Sequence, residues 1–312
     1  MKVLKKFFTV LGIVFIVLVA VYFLFPGFVI SSSATFARIS AGLDRNKVSA
    51  ADHNWVYYDG GNGEAIVFIH GFGLNKDMWG STLAAFTDRY RVIAPDIAGF
   101  GETGYDEALD YGLNSHADRL DQFIRAIGLE SFHLAGHSLG GGIAILYASR
   151  HPEKIRSLTL MNPFGVKSSV MSDYQKAFDR GENPLLFKTA EGYDLTMSYC
   201  MYKPMNMPSH FKTYLAKESE KSYQFYSNAV KNEIDTMGWD MLRKNLRSIK
   251  SPTLIIFGDK DRVFDVTCAD IFKKEISNSR VSIIKDAGHL VYMDQPEETI
   301  KAMDEFLSDT RR

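Results

Sequence analysis

The chain has 312 residues, with 36 Lys and Arg against 37 Asp and Glu, so its formal net charge is −1 at pH 7. That balance leaves no basic excess for nucleic acid. An apolar fraction of 46 % is enough to fill the core of one large α/β domain with an insertion, or of two small domains. The two cysteines, Cys200 and Cys268, lie far apart and make no metal-ligand spacing. No metal site or cofactor is expected from them, and free, packed thiols are the expectation, although a pairing is not excluded.

The first segment differs from everything after it. Phe7 to Phe25 (FFTVLGIVFIVLVAVYFLF) carries no charge and is almost wholly apolar. As a helix it spans roughly 28 Å, about the hydrocarbon thickness of a bilayer. Lys2, Lys5 and Lys6 precede it. The positive-inside rule keeps them in the cytoplasm and sends the remaining chain across the membrane, to the periplasm or another extracytoplasmic space if the source is bacterial. Pro26-Gly27-Phe28-Val29-Ile30 follows where a cleaved signal peptide would have its A-x-A site. An uncleaved single-pass anchor over residues 1–30 is therefore expected. Residues 31–50 mix serines, alanines and a few basic groups and read as a juxtamembrane connector.

From Trp55 strand and helix patterns alternate. Trp55 to Tyr58 reads as a strand that ends at the turn Asp59-Gly60-Gly61-Asn62-Gly63. Ala65 to Ile69 is a continuous apolar run, the mark of a strand covered on both faces. Asp77 to Thr87 reads as helix, Arg91 to Ala94 as strand, and Asn114 to Ile127 as a helix with Leu120, Phe123, Ile124 and Ile127 on one face. Phe132 to Ala135 and Leu158 to Met161 are further strands. Residues 164–249 then break the rhythm. They hold no clean strand, are rich in Met, Tyr and Phe, and are interrupted by Pro184, Pro204 and Pro208; they read as a mostly helical insertion. Alternation resumes with the strand Thr253 to Phe257, a helix near Thr267 to Ile276, the strand Val281 to Ile284 and the helix Pro296 to Leu307. Residues 51–163 and 250–312 thus form one α/β core around a mostly parallel sheet, and 164–249 its insertion.

Gly136-His137-Ser138-Leu139-Gly140 is a G-x-S-x-G pentapeptide between an apolar run and a helix-like stretch. Strand, sharp turn and helix in that order hold a serine hydroxyl on a strained bend at the C-terminal edge of a sheet. Such a hydroxyl needs a base, and the base a carboxylate. Asp286-Ala287-Gly288-His289-Leu290 follows the last strand and offers the base. Of eight histidines, only His289 combines a loop, a preceding glycine and the right place in chain order. The loop Gly258 to Val263 offers the acid, with Asp261 preferred to Asp259, which sits at the strand end as a turn-former. His70-Gly71-Phe72-Gly73 can turn a backbone N–H toward Ser138, so the N–H groups of Phe72 and Leu139 are the expected oxyanion donors. His70 is expected to brace that loop by hydrogen bonding.

With those elements in place, the sequence from about Trp55 to Leu307 resembles the α/β-hydrolase superfamily. His70 to Trp79 (HGFGLNKDMW) is similar to the membrane-anchored monoacylglycerol lipase branch and to related bacterial lipases and esterases. The resemblance implies an α/β-hydrolase fold: a mostly parallel, doubly wound sheet with a helical cap inserted after the sixth strand, preceded here by a transmembrane helix. Ala98 stands where the family usually has proline, and Glu102-Thr103 departs from its usual small polar pair; that loop is structural. The expected activity is hydrolysis of carboxylic esters through an acyl-enzyme, with a lipid such as a monoacylglycerol, or another small ester, as substrate. No obligate protein partner is evident. Met197, Met201, Tyr202 and Met205 are the candidate lining of an acyl pocket, since Met and aromatic side chains adapt to a flexible chain. A carbon–carbon bond hydrolase or a perhydrolase on the same three residues remains open, as does a non-catalytic, membrane-anchored lipid-binding protein.

Overall fold

The computed structural model describes residues 2–310. Two helices, α1 (Lys2–Leu24) and α2 (Pro26–Ser40), precede the sheet. The strands are β1 (Leu43–Ala50), β2 (His53–Gly60), β3 (Ala65–Ile69), β4 (Arg91–Pro95), β5 (Phe132–His137), β6 (Ile155–Met161), β7 (Thr253–Gly258) and β8 (Ser279–Ile284). They form one sheet in the order β1-β2-β4-β3-β5-β6-β7-β8. β1 and β2 pair antiparallel, as do β2 and β4, and every later pairing is parallel. The helices α3 (Gly80–Ala84), α4 (Leu113–Ala126), α5 (Leu139–Arg150), α10 (Cys268–Glu275), α11 (Val291–Asp294) and α12 (Pro296–Thr310) belong to this core. Between β6 and β7 lie α6 (Asp173–Asp179), α7 (Ala190–Cys200), α8 (Ser209–Met237) and α9 (Arg243–Leu246).

The central strands explain the sequence pattern. Every residue of β3, β5 and β7 is buried, as a parallel sheet covered on both faces demands. Two expectations need correction. Residues 43–50, read as connector, are the edge strand β1, paired with β2 from Leu43–Gly60 to Ala50–His53. Only Leu43 and Ala50 of its eight residues are buried, so it shows solvent a polar face and lacks the apolar alternation that marks a strand. The helix expected over Asp77 to Thr87 is a single tight 3₁₀ turn over Lys76–Trp79 followed by the short α3.

None of α1 is buried, and it is long and apolar enough to cross a membrane. Its last turn meets the insertion: Tyr22 packs edge-on against Phe211 with centroids 5.2 Å apart, and Phe23 packs against His210 at 4.9 Å. Both partners open α8, a helix of 29 residues and so about 43 Å long.

A buried charge network locks the loop after β3 to the loop after β4. Lys76 and Asp96 are almost wholly inaccessible. Lys76 Nζ donates to Asp96 Oδ2 at 2.9 Å and to Glu102 Oε1 at 2.7 Å. The Lys76 and Glu102 backbone N–H groups also donate to the Asp96 carboxylate, at 2.7 and 2.8 Å. Arg45 of β1 closes the cluster on Glu102, which explains why glutamate stands in this loop. Removing one partner of such a pair leaves a charge buried and uncompensated. Lys76→Met is therefore expected to lower unfolding free energy by about 3 kcal/mol or more, read from the urea midpoint. A loss within experimental error would show that the network contributes nothing.

Candidate active site

Ser138 sits at the junction of β5 and α5 with φ 53° and ψ −118°, a conformation that L residues rarely hold. Its N–H donates to Met161 O at 3.0 Å, and its carbonyl accepts from Gly142 and Phe164 N–H, each at 3.0 Å. The bend closes only because its neighbours lack side chains. A Cβ on Gly136 would lie 2.3 Å from Gly140 O, and one on Gly140 would lie 2.2 Å from Ile69 O.

At the same edge of the sheet, the loops after β7 and β8 meet. His289 Nδ1 lies 2.9 Å from Asp261 Oδ2, with both side chains buried. Asp261 Oδ1 accepts from Val263 and Phe264 N–H at 2.7 and 3.1 Å, and Oδ2 accepts from Asn162 Nδ2 at 2.6 Å. With that carboxylate committed as an acceptor, the proton of the neutral imidazole is assigned to Nδ1, leaving the lone pair on Nε2. Asp259 plays the turn-forming part expected of it: Oδ1 accepts from Ala287 N–H at 3.4 Å, and Lys260 is its ion partner.

His137, beside the serine, is committed elsewhere. Its Nε2 donates to His289 O at 3.0 Å, and the two rings lie 4.8 Å apart. Its Nδ1 is buried without a partner, and burial keeps this ring neutral by pushing its pKa well below the ordinary value. The structure thus brings Asp261 and His289 together and ties the His289 backbone to the residue next to Ser138. Ser138 Oγ and His289 are not hydrogen-bonded to each other, a looseness common in unliganded catalytic sites. Asn162 was missed by sequence reasoning. It has φ 43°, and its only trace in the sequence is its place between β6 and Pro163.

The loop after β3 lies against the elbow. A Cβ on Gly71 would fall 3.2 Å from Ser138 Cβ. His70 braces this loop as expected: Nδ1 is 2.8 Å from Gly71 O, and Nε2 accepts from Ile97 N–H at 3.0 Å. Phe72 and Leu139 both border the space above Ser138. Leu139 is the first residue of α5, so its N–H has no intrahelical acceptor.

That space is a largely apolar cavity. Beside Ser138 its wall includes Phe164, Phe225, Tyr226, Val230, Ile234 and Trp239. Met197, Met201, Tyr202 and Met205, expected here, do not line it. The segment after α7 is pinned behind the His289 loop instead: Cys200 O accepts from Leu290 N–H, and Tyr202 N–H donates to Asp294, each at 2.8 Å. Met201 is buried there, while Met205 is 64 % exposed. The second half of α8 supplies the wall. Its apolar Tyr226, Val230 and Ile234 recur at helical spacing, a periodicity that marks a buried stripe better than richness in Met does. An imidazole and a carboxyl interrupt the apolar lining. Burial lowers His116 to about 3 and raises Glu233, whose Oε1 accepts from Leu113 N–H at 3.1 Å.

A serine on a strained strand–helix bend, a buried histidine–aspartate pair after the last two strands and a helical insertion over an apolar cavity thus meet at one edge of a mostly parallel α/β sheet. Residues 64–296 match the family model described as the alpha/beta hydrolase fold. The chain belongs to that family, and it is a carboxylic ester hydrolase. It is 32 % identical to Lipase 1 of Psychrobacter immobilis, over 80 % of this chain and 79 % of that one. It is 28 % identical to monoacylglycerol lipase ABHD6 of Homo sapiens, over 96 % and 92 % of the two chains. The solved structure of a membrane phospholipase A, described as a bacterial virulence factor, superposes with a TM-score of 0.89 at 32 % identity, covering 99 % of both chains.

Cys200 and Cys268 are free and buried, and burial raises their thiols to about 12 and about 11. Native protein is therefore expected to resist alkylation by iodoacetamide near pH 8 and to take up label at both cysteines once unfolded, as mass spectrometry would read. Rapid labelling of the native protein would contradict this burial.

Proposed function

We propose that Ser138, His289 and Asp261 act as a Ser-His-Asp triad on single-chain acyl esters, monoacylglycerols foremost. His289 Nε2 takes the Ser138 proton as Oγ attacks the ester carbonyl. The backbone N–H groups of Phe72 and Leu139 receive the developing oxyanion. Asp261 holds the Nδ1–H tautomer and stabilises the imidazolium. His289 then protonates the leaving alcohol and, in the second half, activates the water that releases the acid. The observation that carries this reading is that a strained serine opens onto an apolar cavity while a buried histidine–aspartate pair reaches the same sheet edge.

The cavity supports an acyl chain by its apolar lining, and the names of the relatives support a lipid substrate. We place α1 across a membrane, with Lys2, Lys5 and Lys6 in the cytoplasm and the hydrolase domain on the far side. The packing of its last turn on α8 would then hold the insertion at the membrane surface, where single-chain lipids are drawn from the bilayer.

The test is hydrolysis of monoacylglycerols and p-nitrophenyl esters over a range of acyl lengths, with fluorophosphonate labelling alongside. Medium or long chains should be preferred, and Ser138→Ala should abolish labelling and lower kcat by about 10⁴-fold or more. Preference for short, water-soluble esters without regard to chain length would remove the lipid assignment, and failure to label would remove the nucleophile. Asn162→Ala takes one charge-assisted hydrogen bond from Asp261 and should lower kcat about tenfold with little change in KM. An unchanged kcat would show that the two backbone donors suffice to hold the carboxylate.

A further inference from the structure

We propose that His116 is a recognition group for a hydroxyl carried by the ester substrate, and that it favours such esters over matched esters lacking the hydroxyl. This rests on the reading that the cavity beside Ser138 receives the substrate.

His116 lies in the first turn of α4 and is 3 % exposed. Phe100 stacks on its ring at 6.3 Å, and Tyr111 packs at 5.9 Å. Its side chain borders the same cavity as Ser138. Among the described residues neither ring nitrogen has a hydrogen-bond partner, and neither is among the sealed, unpartnered polar atoms. Neither nitrogen is therefore sealed, and the open space that the residue borders is the cavity beside Ser138. Most buried histidines pair their nitrogens within the protein, as His70 does with Gly71 and Ile97.

Several of the other polar tips around the cavity are occupied. Tyr226 Oη donates to Gly99 O at 3.0 Å. Tyr111 Oη accepts from Asp106 N–H at 2.8 Å and lies 2.9 Å from His53 Nε2. Glu233 caps Leu113 N–H. His116 is thus a partner in waiting within a mostly apolar wall.

Its chemistry narrows the ligand. Burial, helped by Arg119, His70 and His53 against Asp110, keeps the imidazole neutral at physiological pH. A neutral imidazole offers one N–H donor and one lone pair, which matches a hydroxyl and gives no charge attraction to a free carboxylate. The hydroxyl can come from the alcohol part, as in a glycerol ester, or from a hydroxylated acyl chain. An ester without it leaves a buried polar group unpaired, and such sites discriminate strongly.

The experiment uses the full chain in detergent micelles and two substrate pairs. One is a monoacylglycerol against the propyl ester of the same acid; the other is a hydroxyacyl propyl ester against its plain counterpart. The native protein should prefer the hydroxylated member of at least one pair by about tenfold in kcat/KM, and the responding pair identifies the source. His116→Phe keeps the aromatic stacking and should collapse that ratio, whereas His116→Gln, which retains a donor and an acceptor, should preserve part of it. Equal loss on both members of a pair, or an unchanged ratio, would overturn the proposal. Binding of the same ligands to Ser138→Ala, with and without His116→Phe, separates the two readings. Hydroxyl discrimination in binding without hydrolysis by the native protein would keep this subsite and sink the esterase reading. Hydrolysis without discrimination would do the reverse.

Discussion

The arrangement at this site depends on one backbone constraint, the positive-φ turn at Ser138. It costs on the order of 1–3 kcal/mol and persists only if the surroundings hold it. They do so through contacts that also build the site. Gly136 and Gly140 let β5, α5 and the end of β3 approach within backbone contact. The Ser138 N–H and carbonyl hold the end of β6 and the chain beyond it, at Met161 and Phe164. Asn162 lies between those two points and reaches Asp261, which holds His289. The turn that exposes the hydroxyl therefore also fixes where the carboxylate and imidazole stand.

What sequence could reveal follows from the range of each force. β3, β5 and β7 were legible because strands buried on both faces must be continuous apolar runs. Ser138, Asp261 and His289 were legible because glycine-flanked elbows and the loops after successive strands leave local marks. β1 was not, because an edge strand with two buried residues carries no apolar alternation and owes its place to pairing with β2. Asn162 was hidden because its role exists only where two loops distant in sequence meet. The Met-rich segment misled for a different reason. Composition shows that an insertion contains adaptable apolar groups, not which of its helices faces the cavity. Backbone hydrogen bonds from Leu290 and to Asp294 decided that by drawing residues 200–202 behind the histidine.

The insertion is fastened differently on its two sides. Toward the acid and base it is held by many polar contacts. Ser172 Oγ donates to Val263 O, Tyr174 N–H to Arg262 O, and Arg262 reaches both Asp173 and Ser198 O. Toward α4 the second half of α8 rests on aromatic packing and on two side-chain hydrogen bonds among the described residues, Tyr226 to Gly99 O and Leu113 N–H to Glu233. Apolar packing lacks the directionality of such hydrogen bonds. The second half of α8 is thus fastened by fewer directional bonds than the side of the insertion that holds the Asp261–His289 loops. Because α8 also begins against the end of α1, the helix that walls the cavity beside Ser138 is the one joined to the apolar N-terminal segment, and the helices beside the Asp261–His289 pair are not.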